Sequence, residues 1–236
     1  MEDYILELSK RLKFIADKID KCSCIVDIGT DHGYIPIYAV KNEMCKRAIA
    51  TDINIEPVKK AKLNVKYEKL NDKISVRHGA GLTPIVEGEA DGVVIAGIGG
   101  NLMCDILKND IKKVKSFKFI ILQPAQNPEV VREYLYNNNY EIIEEDLCLD
   151  DGIIYELFKV KYDKKSLNYD FDNVYYEISP YMLKTKNPLM KKYLQEKIEK
   201  DEKILGFIKD NTESANKRKE ELKNNIEQYK RFLKEF

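Results

Sequence analysis

Apolar residues recur along this chain with two different periods. Ile5, Leu8, Leu12, Ile15 and Ile19 fall at three- and four-residue steps, which predicts an amphipathic helix over residues 3–19. Short apolar runs follow at Cys24 to Ile28, Arg47 to Asp52, Ile74 to Arg77, Asp91 to Ala96 and Phe119 to Leu122, each bounded by turn-forming residues as strands are. Helical spacing separates most of them, over 34–41, 55–70, Asn101 to Lys108 and Pro128 to Tyr136. Pro36 sits near the start of the helix at 34–41, where a missing N–H costs nothing. Two further strands, 140–148 and 152–160, are joined by Asp150-Asp151-Gly152. Strands alternating with helices predict a parallel sheet covered on both faces. The closing hairpin makes the last strand antiparallel to its neighbours.

After about residue 162 the pattern changes. Glycine is almost absent and two apolar stripes appear. Met190, Leu194, Ile198, Leu205 and Ile208 form one; Leu222, Ile226, Tyr229, Leu233 and Phe236 form the other, with heptad-like steps. Asp210-Asn211-Thr212-Glu213-Ser214 separates them. The expected organisation is a Rossmann-like α/β domain over 1–162 with a seven-stranded sheet, and a helical, coiled-coil-like hairpin domain over 163–236. The stripes can pair within one chain or between two, and the hairpin within a single monomer is the simpler arrangement.

The strand ends carry the chemistry. Val26-Asp27-Ile28-Gly29-Thr30-Asp31-His32-Gly33-Tyr34 places an acid at a strand end, a glycine turn, and a helix start. Asp52 ends the next strand, where a carboxylate accepts the hydroxyls of a ribose. The turn lacks the Gly-x-Gly-x-x-Gly of a dinucleotide site, which disfavours a nicotinamide oxidoreductase. Asp27 and Asp31 would repel a pyrophosphate and suit a cationic ligand. S-adenosylmethionine (SAM) combines an ammonium, a sulfonium and an adenosine. Two more glycine loops, His78-Gly79-Ala80-Gly81-Leu82 and Ala96-Gly97-Ile98-Gly99-Gly100-Asn101, follow the third and fourth strands. Four successive loops on one rim point to a nucleotide-like cofactor.

Charge adds little to this. The 40 Lys/Arg and 40 Asp/Glu balance. The front is mildly acidic and the tail mildly basic, with 18 Lys/Arg against 14 Asp/Glu over 161–236. The five cysteines have no zinc-module spacing and there are two histidines, so no metal is expected. No membrane span or signal segment is evident, and a reduced, cytoplasmic protein is expected.

Leu8-Ser9-Lys10-Arg11-Leu12, the Asp27-to-Pro36 loop, Gly79-Ala80-Gly81-Leu82, Ala96 to Gly100, Leu122-Gln123-Pro124 and Asp151-Gly152-Ile153-Ile154-Tyr155-Glu156 together resemble the bacterial tRNA (adenine-N1)-methyltransferases that modify the adenine at tRNA position 22. The resemblance runs through nearly the whole chain. It implies that Asp27, Gly29 and Gly33 hold the methionine part of SAM, that Asp52 binds the ribose, that Ile53 is among the cofactor-binding residues, and that Gly79, Ala80 and Gly81 border the adenine. Ala96 and Gly97 would flank the cofactor, and Gly97 to Asn101 would lie nearest the methyl group and target base, with Gly99 and Gly100 on the substrate side. Many related enzymes carry Asp or Asn where Ala80 stands, so adenine recognition here is expected to rest on backbone groups. Asp31, His32, Asn101 and Gln123 are candidates for orienting the target base, and Tyr34 for touching cofactor or base. Arg11 and the hairpin cations Lys191, Lys192, Lys217, Arg218 and Lys219 are candidates for the tRNA backbone. Adenine N1 carries an in-plane lone pair and no proton, so in-line methyl transfer needs no obligatory base. The other readings are a methyltransferase for a different substrate and a non-catalytic SAM- or RNA-binding protein on the same fold.

Overall fold

The computed structural model describes residues 7–166 and 172–236. The chain divides into two compact units, Met1–Asp170 and Phe171–Phe236.

The first unit opens with α1 (Lys10–Ala16), shorter than the apolar spacing predicts. Residues 7–9 are not helical, and the stretch before them, including Ile5, lies outside the described residues. Ser9 sets the start: its Oγ accepts from Leu12 N at 3.2 Å, satisfying one of the orphan donors of the first turn. The chain continues as β1 (Cys22–Ile28), α2 (Tyr34–Lys41), β2 (Cys45–Asp52), α3 (Ile55–Tyr67), β3 (Ile74–His78), β4 (Gly92–Gly99), α4 (Gly100–Asn109), α5 (Ile111–Val114), β5 (Phe119–Gln126), α6 (Pro128–Tyr136), β6 (Tyr140–Asp150) and β7 (Ile153–Tyr162). The seven strands order as β3-β2-β1-β4-β5-β7-β6. All neighbours are parallel except β7, which runs antiparallel to both β5 and β6. The hairpin closes through Asp151 and Gly152, both with positive φ (47° and 80°), the two-residue turn whose twist matches that of the strands.

Side chains alternate across the sheet. Ile25, Ala48, Ala50, Val94 and Ile121 face a core built with Ile15, Ile37 and Val65 of α1, α2 and α3. The opposite alternation, Val26, Val93, Ile95, Ile120 and Leu122, is equally buried and serves α4 and α6, which bury Met103, Leu107, Val131 and Leu135. β4 and β5 run past Ala96 and Leu122, where glycine and proline had suggested they stop. Pairing resumes beyond Gly97 at Ile98↔Pro124 and Gly99↔Gln126 through register shifts, which accommodate a residue without an N–H.

The second unit contains α7 (Val174–Glu177), α8 (Pro180–Lys184), α9 (Met190–Phe207) and α10 (Glu213–Leu233). α9 and α10 pack on each other, with residues 208–212 between them. Thr212 begins α10, its Oγ1 accepting from Ala215 N at 3.2 Å, so Glu213 and Ser214 are helical rather than part of the break. The buried stripe of α9 is Met190, Tyr193, Leu194, Ile198 and Asp201; Leu205 is half-buried and Ile208 lies past the helix. In α10, Phe232 rather than Leu233 ends the buried stripe of Leu222, Ile226 and Tyr229. Steps of four, three and three depart from the strict four-three alternation of a heptad at this last position.

Candidate active site

The carboxyl ends of β1, β2, β3 and β4 surround a cavity of about 710 Å³, within the range of small-molecule sites. Each wall is a strand end followed by a turn that the sequence forces into shape.

Asp27, the penultimate residue of β1, is 4% exposed. Its Oδ2 accepts from Thr30 Oγ1, across a turn in which Gly29 takes φ +73°. Gly29 N and Thr30 N both donate to Thr51 O, at 2.8 and 2.9 Å, which locks the turn to β2. Gly33, again at φ +73°, starts α2 and lies so near Ala61 that a Cβ would meet that residue's Cβ at 3.4 Å. Burial pushes the Asp27 carboxyl up to about 7, against the lowering effect of the Thr30 hydroxyl, with Asp52 adding to the rise.

Asp52, 8% exposed, closes β2 and accepts from Asn54 N at 2.7 Å through Oδ1. Ile53 beside it is 62% exposed on the cavity wall, and its carbonyl is bonded to His78 Nε2 at 2.8 Å. The β3 loop bends at Gly79, whose N donates to Asp52 O at 3.0 Å, and Ala80 and Gly81 line the cavity. Ala96 and Gly97 form the β4 wall.

At the other end, Asp31, His32 and Tyr34 line the same cavity. The His32 and Tyr34 rings stack at 5.0 Å and 13°, and His32 Nε2 lies 3.5 Å from Asp31 Oδ2. Asp31 holds a left-handed φ of +43°, an uncommon conformation for a residue with a side chain. Arg11 enters from α1. Its N donates to Asp150 Oδ2 at 3.1 Å, its guanidinium donates to Gln123 Oε1 at 3.1 Å, and that group also lies 5.2 Å from the Tyr155 ring centre.

Several expected residues stand elsewhere. Gln123 is fully buried and lies behind Arg11 rather than on the cavity wall; it bears on the cavity only through that guanidinium. Asn101 is exposed on the first turn of α4 and, like Gly33, Gly99 and Gly100, does not line the cavity. Gly100 is a packing residue, since a Cβ there would lie 2.3 Å from Asn127 O. Lys191, Lys192, Lys217, Arg218 and Lys219 belong to the second unit. Lys192 and Arg218 pair with Glu196 and Glu221, Lys219 donates to Asp210 O and Asn211 Oδ1, and Lys191 and Lys217 have no ion pair among the described residues. The sequence reading overlooked one wall altogether: Leu102, Asp105, Ile106 and Asn109 of α4. The inward Met103, Cys104 and Leu107 leave that side of the helix available, which is the only signal the sequence offers.

No group of three or more His, Cys, Asp or Glu among the described residues could hold a metal ion. No helix among them is long and apolar enough to cross a membrane.

The family model for the tRNA (adenine(22)-N(1))-methyltransferase TrmK matches residues 25–231. The chain belongs to the TrmK family. It is 39% identical to the tRNA (adenine(22)-N(1))-methyltransferase of Bacillus subtilis over 194 residues, covering 81% of this chain and 82% of that one. The crystal structure of the B. subtilis M1A22 tRNA methyltransferase TrmK superposes with a TM-score of 0.87 at 34% identity, over 97% of this chain and 100% of that one. The Streptococcus pneumoniae protein Sp1610, solved in complex with S-adenosyl-L-methionine, gives 0.83 at 27% identity, over 96% and 100%.

Proposed function

We propose that this TrmK-family chain methylates N1 of the adenine at tRNA position 22, with SAM as donor. The observation that carries the reading is the cavity itself: two buried carboxylates, Asp27 and Asp52, on successive strand ends, with positive-φ glycines between the walls.

The residues fit the cofactor. Asp27 is buried and half-neutralised near pH 7 until a cation faces it, and the ammonium of a methionine moiety is such a cation. Gly29 and Gly97, both at φ +73°, leave the backbone bare on that side. Asp52 accepts the ribose hydroxyls, and Ile53 offers an apolar surface to the adenine. When bound, SAM supplies a methyl group activated by its positive sulfur.

The protein's part is then alignment. Adenine N1 is unprotonated, so no side chain has to remove a proton, and rate comes from holding N1, methyl carbon and sulfur in line. Asp31 and the stacked His32–Tyr34 pair flank the site where the base enters. Asp31 also provides negative charge near a base that becomes cationic as it is methylated. Gln123 acts as a positioning residue by holding the Arg11 guanidinium, which would contact a phosphate of the extruded nucleotide. N1 lies on the pairing edge, so a paired target has to leave its stack, at a cost of a few kcal/mol. Backbone contacts to Lys191, Lys192, Lys217, Arg218 and Lys219 would offset that cost. The chain works as a monomer on this reading, since the buried stripes of α9 and α10 are paired within one unit.

Equilibrium titration with SAM and with NAD tests the cofactor assignment. Saturable SAM binding with no response to NAD is expected; binding of NAD in preference to SAM would overturn it.

A further inference from the structure

The adenine end of the cavity has an unusual wall. On the β3 side, Gly79, Ala80 and Gly81 present no polar side chain, and Thr83 beyond them is the loop's one polar side chain on the cavity wall. Adenine's outer edge, however, bears an exocyclic amine with two donor hydrogens and a ring nitrogen that accepts. An amine that gives up its water to the cavity wall and finds no acceptor there forfeits a hydrogen bond.

α4 closes the gap. Gly81, at φ +49°, approaches α4 so closely that a Cβ there would stand 3.2 Å from Ile106 Cγ1. Lys113 of α5 donates to Leu82 O at 2.8 Å while pairing with Asp110 at 2.9 Å, which ties the loop to the end of α4. Along the side of α4 facing this loop, Leu102, Asp105, Ile106 and Asn109 line the cavity. Positions 102, 105 or 106, and 109 lie three or four residues apart and so share one face. Ile53 and Ile106 supply apolar surface to the slot. Asp105 takes no ion pair or hydrogen bond among the described residues, so its carboxylate is available.

Resting on the reading of the cavity as a SAM site, we infer that Asp105 accepts a hydrogen bond from the exocyclic amine of the cofactor's adenine and so supplies from α4 the acceptor that position 80 lacks. It is a specificity residue for the cofactor, remote from the reacting atoms.

The test compares S-adenosyl-L-homocysteine with its 6-deamino analogue, in which purine riboside replaces adenosine. Both lack the sulfonium charge, so a general electrostatic effect of removing a carboxylate acts on the two equally. The full-length wild type should prefer the adenosyl ligand by roughly tenfold, the worth of one hydrogen bond to a charged acceptor. Asp105→Ala should reduce that ratio to within about twofold by weakening only the adenosyl ligand. Asp105→Asn, which keeps an acceptor oxygen, should retain most of the preference. A preference that survives Asp105→Ala, or that is lost in Asn109→Ala instead, overturns the inference while leaving the SAM site standing. A wild type that binds neither ligand overturns both.

Discussion

Asp27 shows how much a single burial decides. With its carboxyl raised to about 7, the residue is partly protonated at neutral pH, and an ammonium needs the ionised form. Affinity for S-adenosyl-L-homocysteine should therefore climb from pH 6 to pH 8 and then level off, as read by calorimetry. Asp27→Asn should bind at least tenfold more weakly and lose that pH dependence; a flat wild-type profile would contradict the assignment. Stability has the opposite sense. The folded-state value lies above the unfolded one of about 4, so the folded chain holds a proton that the unfolded chain has released. Stability contributed by Asp27 is full below about pH 4 and is lost as pH rises towards 7. The melting temperature of Asp27→Asn should accordingly gain on wild type across that window. Asp27, Asp52 and the glycines were legible in the sequence because a strand, a turn and a helix leave them one place to be. Asp105 and Asn109 were not, because the pattern of a helix marks its buried side, and what the other side meets depends on a loop distant in sequence. Gln123 was legible as a rim residue, but its burial behind Arg11 was not.

At the scale of elements, the site depends on how closely α4 and α6 approach. Gly100→Ala places a Cβ against Asn127 O and Val131, and backbone cannot yield there cheaply. The variant should lose about 1–3 kcal/mol in chemical denaturation and reduce methyl transfer by the folded fraction as well, since α4 carries one wall of the cavity. α6 is held in turn by Arg132. This fully buried guanidinium donates from Nε to Glu145 at 2.8 Å and from Nη2 to Glu156, and Tyr136 Oη donates to the same Glu145. Arg132→Met leaves two buried carboxylates without their counterion and should cost about 3–5 kcal/mol; a loss under 1 kcal/mol would mean that the network does not hold α6. Element types and order were legible from periodicity alone. Boundaries failed where tertiary pairing outlasted a breaker, as at Gly97 and Pro124 in β4 and β5, and where a cap outweighed an apolar spacing, as at Ser9 in α1. The short helices α7 and α8 are too brief to show a period.

For the whole molecule the question is how one chain combines a SAM cavity with a tRNA-sized substrate. The last turn of α9 and the first two turns of α10, up to Glu221, bury no side chain, and Phe207 there is 71% exposed. A hairpin end with no fully buried side chain leaves much of its surface for a partner, and Lys217, Arg218 and Lys219 stand on it. Reversing these three charges together with Lys191 and Lys192 should weaken tRNA binding at least tenfold and flatten its salt dependence, with SAM affinity unchanged. Unaltered tRNA binding would remove the hairpin from the interface. The broad basic excess of the tail is legible in the sequence; which cations remain unpaired is not, because Glu196 and Glu221 claim two of them only once the helices form. The most direct test of the central claim is methyl transfer from labelled SAM to two unmodified tRNA transcripts, one with adenine at position 22 and one with guanine. The account predicts label on the adenine transcript alone, recovered as 1-methyladenine. Equal labelling of both, or none on either while SAM is bound, would contradict it.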